Sequence, residues 1–276
     1  MELLPIVVLS SCGPVEAAMS QSLTVPAASP SPATSGTLVW SDEFDGSSVD
    51  PGRWTFETGN GSNGWGNQEL EYYRQENAEI RPLPDGSGSA LVITAKRESF
   101  GGQAYTSARL KTQGLVSWTY GHIEARMKLP QGQGMWPAFW MLGNSISTVG
   151  WPQCGEIDIM EMIGGVGTRD DTTYGTAHWY QNGHQYNGGS LTLSAKLSED
   201  FHVYALDWTP TTLTWSVDGQ VFQSQDISGP AFSAFHAPFF LVVNLAVGGQ
   251  WPGSPDASTS FPQELWVDWI RVYRDL

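Results

Sequence analysis

The clearest alternation in the chain runs from Gly121 to Leu129. Ile123, Ala125, Met127 and Leu129 take one parity, and His122, Glu124, Arg126 and Lys128 the other. Successive side chains of a strand point to opposite faces, so this segment reads as a strand with one face in a core. Shorter runs of strand character recur at Thr37–Trp40, Ser89–Lys96, Ala138–Leu142, Thr173–Trp179, Phe201–Trp208 and Leu265–Tyr273. Leu213–Val217 and Val221–Ser224 flank Asp218-Gly219, a dipeptide that suits the positive φ angles of a tight hairpin. Phe239–Val247 is almost wholly apolar and predicts a central strand covered on both faces. Glu69–Arg74 reads as a turn of helix. Many short strands with almost no helix predict an all-β fold, a two-layer antiparallel β-sandwich.

One stretch breaks the alternation in an informative way. In Glu156-Ile157-Asp158-Ile159-Met160-Glu161, Glu156 and Asp158 share a face, and strict alternation puts Glu161 on the opposite one. One extra residue in a β-bulge restores it, and bulges cluster beside active sites because they re-aim side chains. With Met160 as that extra residue, three carboxylates line one face and the hydrophobes line the core. Paired carboxyls suit glycoside hydrolysis, in which one protonates the leaving oxygen and the other attacks the anomeric carbon or activates water. A third carboxylate keeps the pKa values of the other two apart. By itself the pattern also fits an exposed acidic strand edge or a calcium site.

The 276 residues suit a single catalytic domain, expected over 37–276. Residues 1–36 read differently. An apolar run at 3–9 resembles the end of a secretory signal, without a basic segment before it. Leu9-Ser10-Ser11-Cys12-Gly13 fits a bacterial lipobox as well as a plain cleaved signal, so the expected location is extracellular, with lipid anchoring through Cys12 as the variant reading. An Ala/Ser/Pro/Thr-rich linker follows. The chain has two cysteines and no CxxC pattern, which excludes a disulfide framework and a zinc site, and Cys154 reads as a small buried hydrophobe. A net charge of −15 disfavours nucleic acid and anionic membranes and suits a neutral polymer.

The same balance, with 12% aromatic residues, suits sugars. Trp136 and Trp140 share a face and, if extended, span ~13 Å, enough to flank two or three sugar rings. They also fit as two core tryptophans. Pro137 between them predicts a bent or broken strand. Arg109 and His178 are donors that fit sugar hydroxyls or a structural role. Gly59–Glu69, with Asn67, and Gly248–Gly253, with Trp251, read as glycine-rich loops at a cleft.

Gly155-Glu-Ile-Asp-Ile-Met-Glu161 resembles the active-site signature of glycoside hydrolase family sixteen. Its spacing resembles the laminarinase (endo-β-1,3-glucanase) branch, since lichenases have one residue fewer. The resemblance covers roughly residues 38–274 and includes Leu38–Gly46, Gly64–Tyr73, Tyr120–Pro130, Gly134–Leu142, Asn244–Gly253 and Val267–Tyr273. It implies a concanavalin A-like β-jelly roll with a concave cleft, acting as a monomer on β-glucan by a retaining mechanism without a catalytic cofactor. It also implies Glu156 as nucleophile, Glu161 as acid/base, Asp158 as assisting carboxylate, and Trp136, Trp140, Arg109, His178 and Asn67 as substrate-binding. One structural Ca²⁺ on the convex side is implied, with Glu43 and Asp268 as the matching residues, helped by backbone carbonyls. Met162 and Gln250 depart from the residues common at their positions, which bears on subsite detail and not on the chemistry. Rival readings are a mixed-linkage β-1,3-1,4-glucanase, another β-glycan hydrolase, a transglycosylase, and a non-catalytic β-glucan-binding protein, a class that typically lacks the carboxylates.

Overall fold

The alternation resolves into two layers in a computed structural model, which describes residues 36–274. The strands in chain order are β1 (Thr37–Asp42), β2 (Thr55–Glu57), β3 (Glu71–Tyr73), β4 (Ala78–Pro82), β5 (Ser89–Ala95), β6 (Tyr105–Ser107), β7 (Arg109–Lys111), β8 (Gly121–Lys128), β9 (Met135–Gly143), β10 (Glu156–Glu161), β11 (Thr172–Tyr180), β12 (His184–Thr192), β13 (His202–Trp208), β14 (Thr212–Val217), β15 (Gln220–Asp226), β16 (Phe239–Val247) and β17 (Gln263–Arg274). One sheet has the order β15-β14-β13-β8-β17-β5-β4, with β1 added to β17, and the other the order β12-β11-β10-β9-β16-β7-β2. All neighbours in these two sheets are antiparallel.

The inner faces meet in one core. Ile123, Ala125 and Met127 of β8 are fully buried against residues such as Phe139, Met141, Ile157 and Ala177 of the opposite sheet. Burying a side chain the size of Ile123 or Met127 contributes about 1.5–3 kcal/mol. The strand β16 is buried along its whole length between β9 and β7, as its apolar run requires. Leu241, Val243 and Leu245 enter the core, whereas Asn244 and Ala246 line the opposite, concave face.

The bulge in β10 is present. Against β9 the register passes from Asp158 opposite Trp140 to Met160 opposite Phe139, so the unpaired residue on that side is Ile159 and not Met160. Both side chains are buried in the core, at 1% and 0% exposure. Two consecutive residues therefore point inward, and Glu161 returns to the face of Glu156 and Asp158.

Two other expectations are corrected. The strand β9 runs unbroken through Pro137, which sits opposite Leu245 and accepts a hydrogen bond from the Met162 N–H. Glu69–Arg74 is no helical turn: its residues 71–73 form β3, which pairs in parallel with β6. The coil before it, Gly64–Gln68, needs glycine at Gly64, where φ is +56° and a Cβ would lie 2.4 Å from the Glu69 nitrogen. The carboxylates implied for calcium are each matched by a guanidinium. Both Glu43 oxygens accept from Arg271, at 3.0 and 2.8 Å, and Asp268, at a bulge in β17, accepts from Arg126 at 2.6 Å. No helix of the described residues is long and apolar enough to cross a membrane. The apolar run at 3–9, Cys12 and the linker through residue 35 lie outside the described residues, while Cys154 is buried with a free thiol.

Candidate active site

Strand register assembles the site. Glu156 lies between Leu142 and His178, Asp158 between Trp140 and Thr176, and Glu161 between Ala138 and Tyr174. The Glu161 row continues from Ala138 to Asn244, then to Arg109 and Glu57. Backbone pairing across five strands thus builds a polar track on the concave face. The enclosed part of this cleft holds about 510 Å³. A second cavity of similar volume, lined by Lys96, Arg97, Glu98 and Phe261, shares none of these residues.

All three carboxylates lose most of their water. Burial pushes Glu156 up to about 8, with the Asp158 charge adding to it and His178 opposing it. Burial alone lifts Asp158 to about 8. Glu161 rises to about 8 through burial first and Asp158 second. Burial, more than like charge, therefore holds protons on the cluster. The three titrate as one coupled unit, and the neighbours decide where charge settles first. Glu156 has the best support: its Oε2 accepts from Trp151 Nε1 at 3.1 Å, and His178 Nε2 lies 3.8 Å from its Oε1. His178 Nε2 is also 3.1 Å from Asp158 Oδ2, and its Nδ1 is 2.9 Å from His184 Nε2. Glu161 accepts from Trp136 Nε1 at 2.9 Å.

The aromatic residues have double roles. The Trp136 and Trp140 rings line the cleft, and Trp140 Nε1 donates to Asn244 Oδ1 at 2.8 Å. Arg109 lies between Trp140 and Trp65, 4.9 and 4.6 Å from the ring centres, with Nε donating to Glu57. Asn67 lines the cleft, and its amide donates to Glu69 Oε1 at 3.0 Å, which orients it. Asn60 is spent on the loop, donating to the carbonyls of Glu69 and Glu71. Trp251 packs edge-on against Trp136 at 5.7 Å and stays 41% exposed at the cleft margin. Trp151, Trp65, Glu69 and Asn244 were not singled out from the sequence. Asn244 carried a signal, as the one polar residue in the apolar run Phe239–Val247. Trp151 lies in a turn five residues before Glu156, where no strand period marks it.

A proton donor and a separate carboxylate on one face, beside an aromatic platform, can protonate a glycosidic oxygen and attack the sugar carbon. Residues 65–271 match the family described as Glycosyl hydrolases family 16. The chain belongs to that family. A glycoside hydrolase of family 16 is what the sandwich, the acidic bulged strand and the cleft describe. Among solved structures, the laminarinase catalytic domain from Thermotoga maritima shares 46% identity at a TM-score of 0.77, covering 87% of this chain and 99% of that one. "Beta-glucanase" of Rhodothermus marinus is 43% identical, over 86% of this chain and 85% of the relative. "Clotting factor G alpha subunit" of Tachypleus tridentatus is also 43% identical, but the chain spans only 34% of that longer protein.

The Trp136–Glu161 bond yields a prediction for this hydrolase. The indole N–H stabilises the charged form of Glu161 and holds its pKa down. Trp136→Phe keeps a flat ring and removes the donor, so the pKa rises. The alkaline limb of kcat/KM is expected to move to higher pH by about half a unit to one unit. A pH profile with an unmoved limb would show that this bond does not tune the acid.

Proposed function

We propose that the protein hydrolyses internal β-1,3-glucosidic bonds of laminarin-type β-glucan, with retention of configuration. The observation that carries this reading is the bulged strand, which turns Glu156, Asp158 and Glu161 onto one face of a cleft floored by Trp136 and Trp140. Glucosyl rings stack on the two indoles, with Arg109, Asn67, His178 and Trp251 beside them. Glu161, protonated through its buried setting, gives its proton to the glycosidic oxygen. Glu156 attacks the anomeric carbon and forms a glycosyl-enzyme. Glu161, now a base, takes a proton from water, which releases the sugar and restores Glu156. Asp158 stands beside the nucleophile, with His178 Nε2 at 3.1 Å from its Oδ2. No step needs a cofactor or a metal ion.

A polysaccharide does not cross a membrane, so the substrate supports an extracellular setting. The test is product analysis with purified laminarin, lichenan and agarose. Short β-1,3-linked oligosaccharides from laminarin, at a rate well above that on the other two, are expected. Products from lichenan or agarose and none from laminarin would overturn the linkage assignment.

A further inference from the structure

From Trp140 a chain of hydrogen bonds runs down into the protein, and the direction of each bond is fixed. An indole N–H can only donate, so Trp140 Nε1 gives its proton to Asn244 Oδ1 at 2.8 Å. The other end of that amide, Nδ2, donates to the Tyr73 hydroxyl oxygen at 3.1 Å. The one hydroxyl proton of Tyr73 then goes to Glu69 Oε2, at 3.0 Å. Glu69 Oε1 accepts from the Asn67 amide at 3.0 Å. Glu69, with a donor on each oxygen, is therefore a carboxylate. The segment that carries it is clamped to the sheet, because the Leu70 N–H donates to the Val247 carbonyl and the Gln250 N–H to the Asn67 carbonyl.

Glu71 ends the chain of bonds. Residues 69 and 71 of an extended segment share a face, which sets the two buried carboxyls side by side within hydrogen-bond reach. Glu71 Oε2 accepts from the Val247 N–H at 2.6 Å, while Oε1 is buried with no donor among the described residues. Leaving such an oxygen bare costs about 1–3 kcal/mol, and more if it is charged. Two adjoining carboxylates out of water also repel each other. A proton on Glu71 Oε1 removes both difficulties, since it donates to Glu69 and leaves one charge in place of two. Burial first and the Glu69 charge second push Glu71 well above the usual carboxylate range, in the same sense. Neighbouring strands bring no competing donor to Oε1. Arg109 of β7 acts on Tyr73 and is engaged by Glu57 of β2, and β6, paired with β3, carries no charged side chain. We propose that Glu71 and Glu69 hold one proton between them, and that this acid pair, through Tyr73 and Asn244, positions the Trp140 ring and the Asn67 amide for the sugar chain. Its ligand rests on the glucanase reading. Neither Glu71 nor Tyr73 lines the cleft, so both are positioning residues. Trp140 and Asn67 hold the sugar before and during the reaction alike, so their misplacement is expected to weaken binding more than turnover.

Glutamine mimics the protonated acid, since its carbonyl can accept from Val247 and its amide can donate to Glu69. Glu71→Gln is therefore expected to keep kcat and KM on laminarin within about twofold of the unmodified protein. Glu71→Leu fills the space and offers no donor, and Tyr73→Phe cuts the link between Glu69 and Asn244. Each is expected to raise KM about five- to tenfold with kcat within about twofold. Circular dichroism is the folding control, and Tyr73→Phe, which removes a single oxygen, carries the test if Glu71→Leu does not fold. An unchanged KM in Tyr73→Phe, a loss in Glu71→Gln equal to that in Glu71→Leu, or a fall in kcat alone would overturn the proposal. The proton has a readout that does not depend on activity. The infrared difference spectrum between the unmodified protein and Glu71→Gln at neutral pH should contain the C=O stretch of a protonated carboxylic acid, and a carboxylate stretch in its place would overturn the shared proton. If that band is present and the unmodified protein cleaves no β-glucan, the glucanase reading is what fails and the acid pair stands.

Discussion

With Glu156 replaced by Gln, the protein is expected to fold normally and to lose about 10³-fold or more of its kcat on laminarin. The amide has nearly the shape of the carboxyl and can still accept from Trp151 Nε1, so the cleft keeps its form. What disappears is the carboxylate assigned as the nucleophile. Reducing-sugar release, followed with circular dichroism as the folding control, measures the effect, and a near-normal rate would remove Glu156 from the mechanism. Glu156→Ala adds a sharper readout. The smaller side chain leaves room for azide, which attacks from the vacated side, and an activated aryl glycoside should then yield a glycosyl azide of inverted configuration.

Glu161→Gln is expected to move activity and stability in opposite directions. Loss of the acid/base should lower kcat on laminarin by about 10²–10⁴-fold. Stability should rise, because burial lifts Glu161 from its ordinary 4.5 to about 8. A carboxyl raised in this way binds more protons in the folded than in the unfolded chain between those two values. Its presence therefore costs stability increasingly as pH climbs from the unfolded value to the folded one, and by a constant amount above. The rise from 4.5 to about 8 would be about 5 kcal/mol for an isolated group, and the buried amide that replaces the carboxyl carries a desolvation cost of its own, so a gain of about 1–3 kcal/mol at pH 8 is expected. Near pH 4 the gain should vanish. Melting temperatures of the two proteins at pH 4, 6 and 8 check the sign, and a variant less stable at pH 8 would contradict it.

The fold was legible where burial differs between faces. The strand β8 alternates in sequence because it alternates in environment, and β16 is apolar throughout because it is covered on both faces. The strands β2, β6 and β7 are three residues each, too short to show a period. The edge strand β12 is largely exposed, and His184-Gln-Tyr-Asn-Gly-Gly-Ser-Leu-Thr192 has no core face to advertise. The catalytic bulge was legible as a parity fault, but its unpaired residue was not, since Ile159 and Met160 are equally apolar. Local spacing could not find partners created by distant pairings. Asn244 beneath Trp140 and the guanidiniums on Glu43 and Asp268 all arise from contacts between segments remote in sequence.

The bulge also limits how this site can change. The offset between Glu156 and Glu161 is an integer number of residues, held by Ile159 and Met160 in the core. No single substitution can tune that offset by a fraction. Only an insertion or deletion can alter it: an insertion would swing Glu161 to the opposite face unless the bulge were rebuilt, whereas deletion of the extra residue would abolish the bulge and keep the acid on the shared face at a shorter spacing. Point mutations can thus reshape the walls of the cleft and its sugar preferences while the separation of the acids stays quantised, so divergence in linkage specificity and divergence in catalytic spacing proceed by different kinds of genetic event.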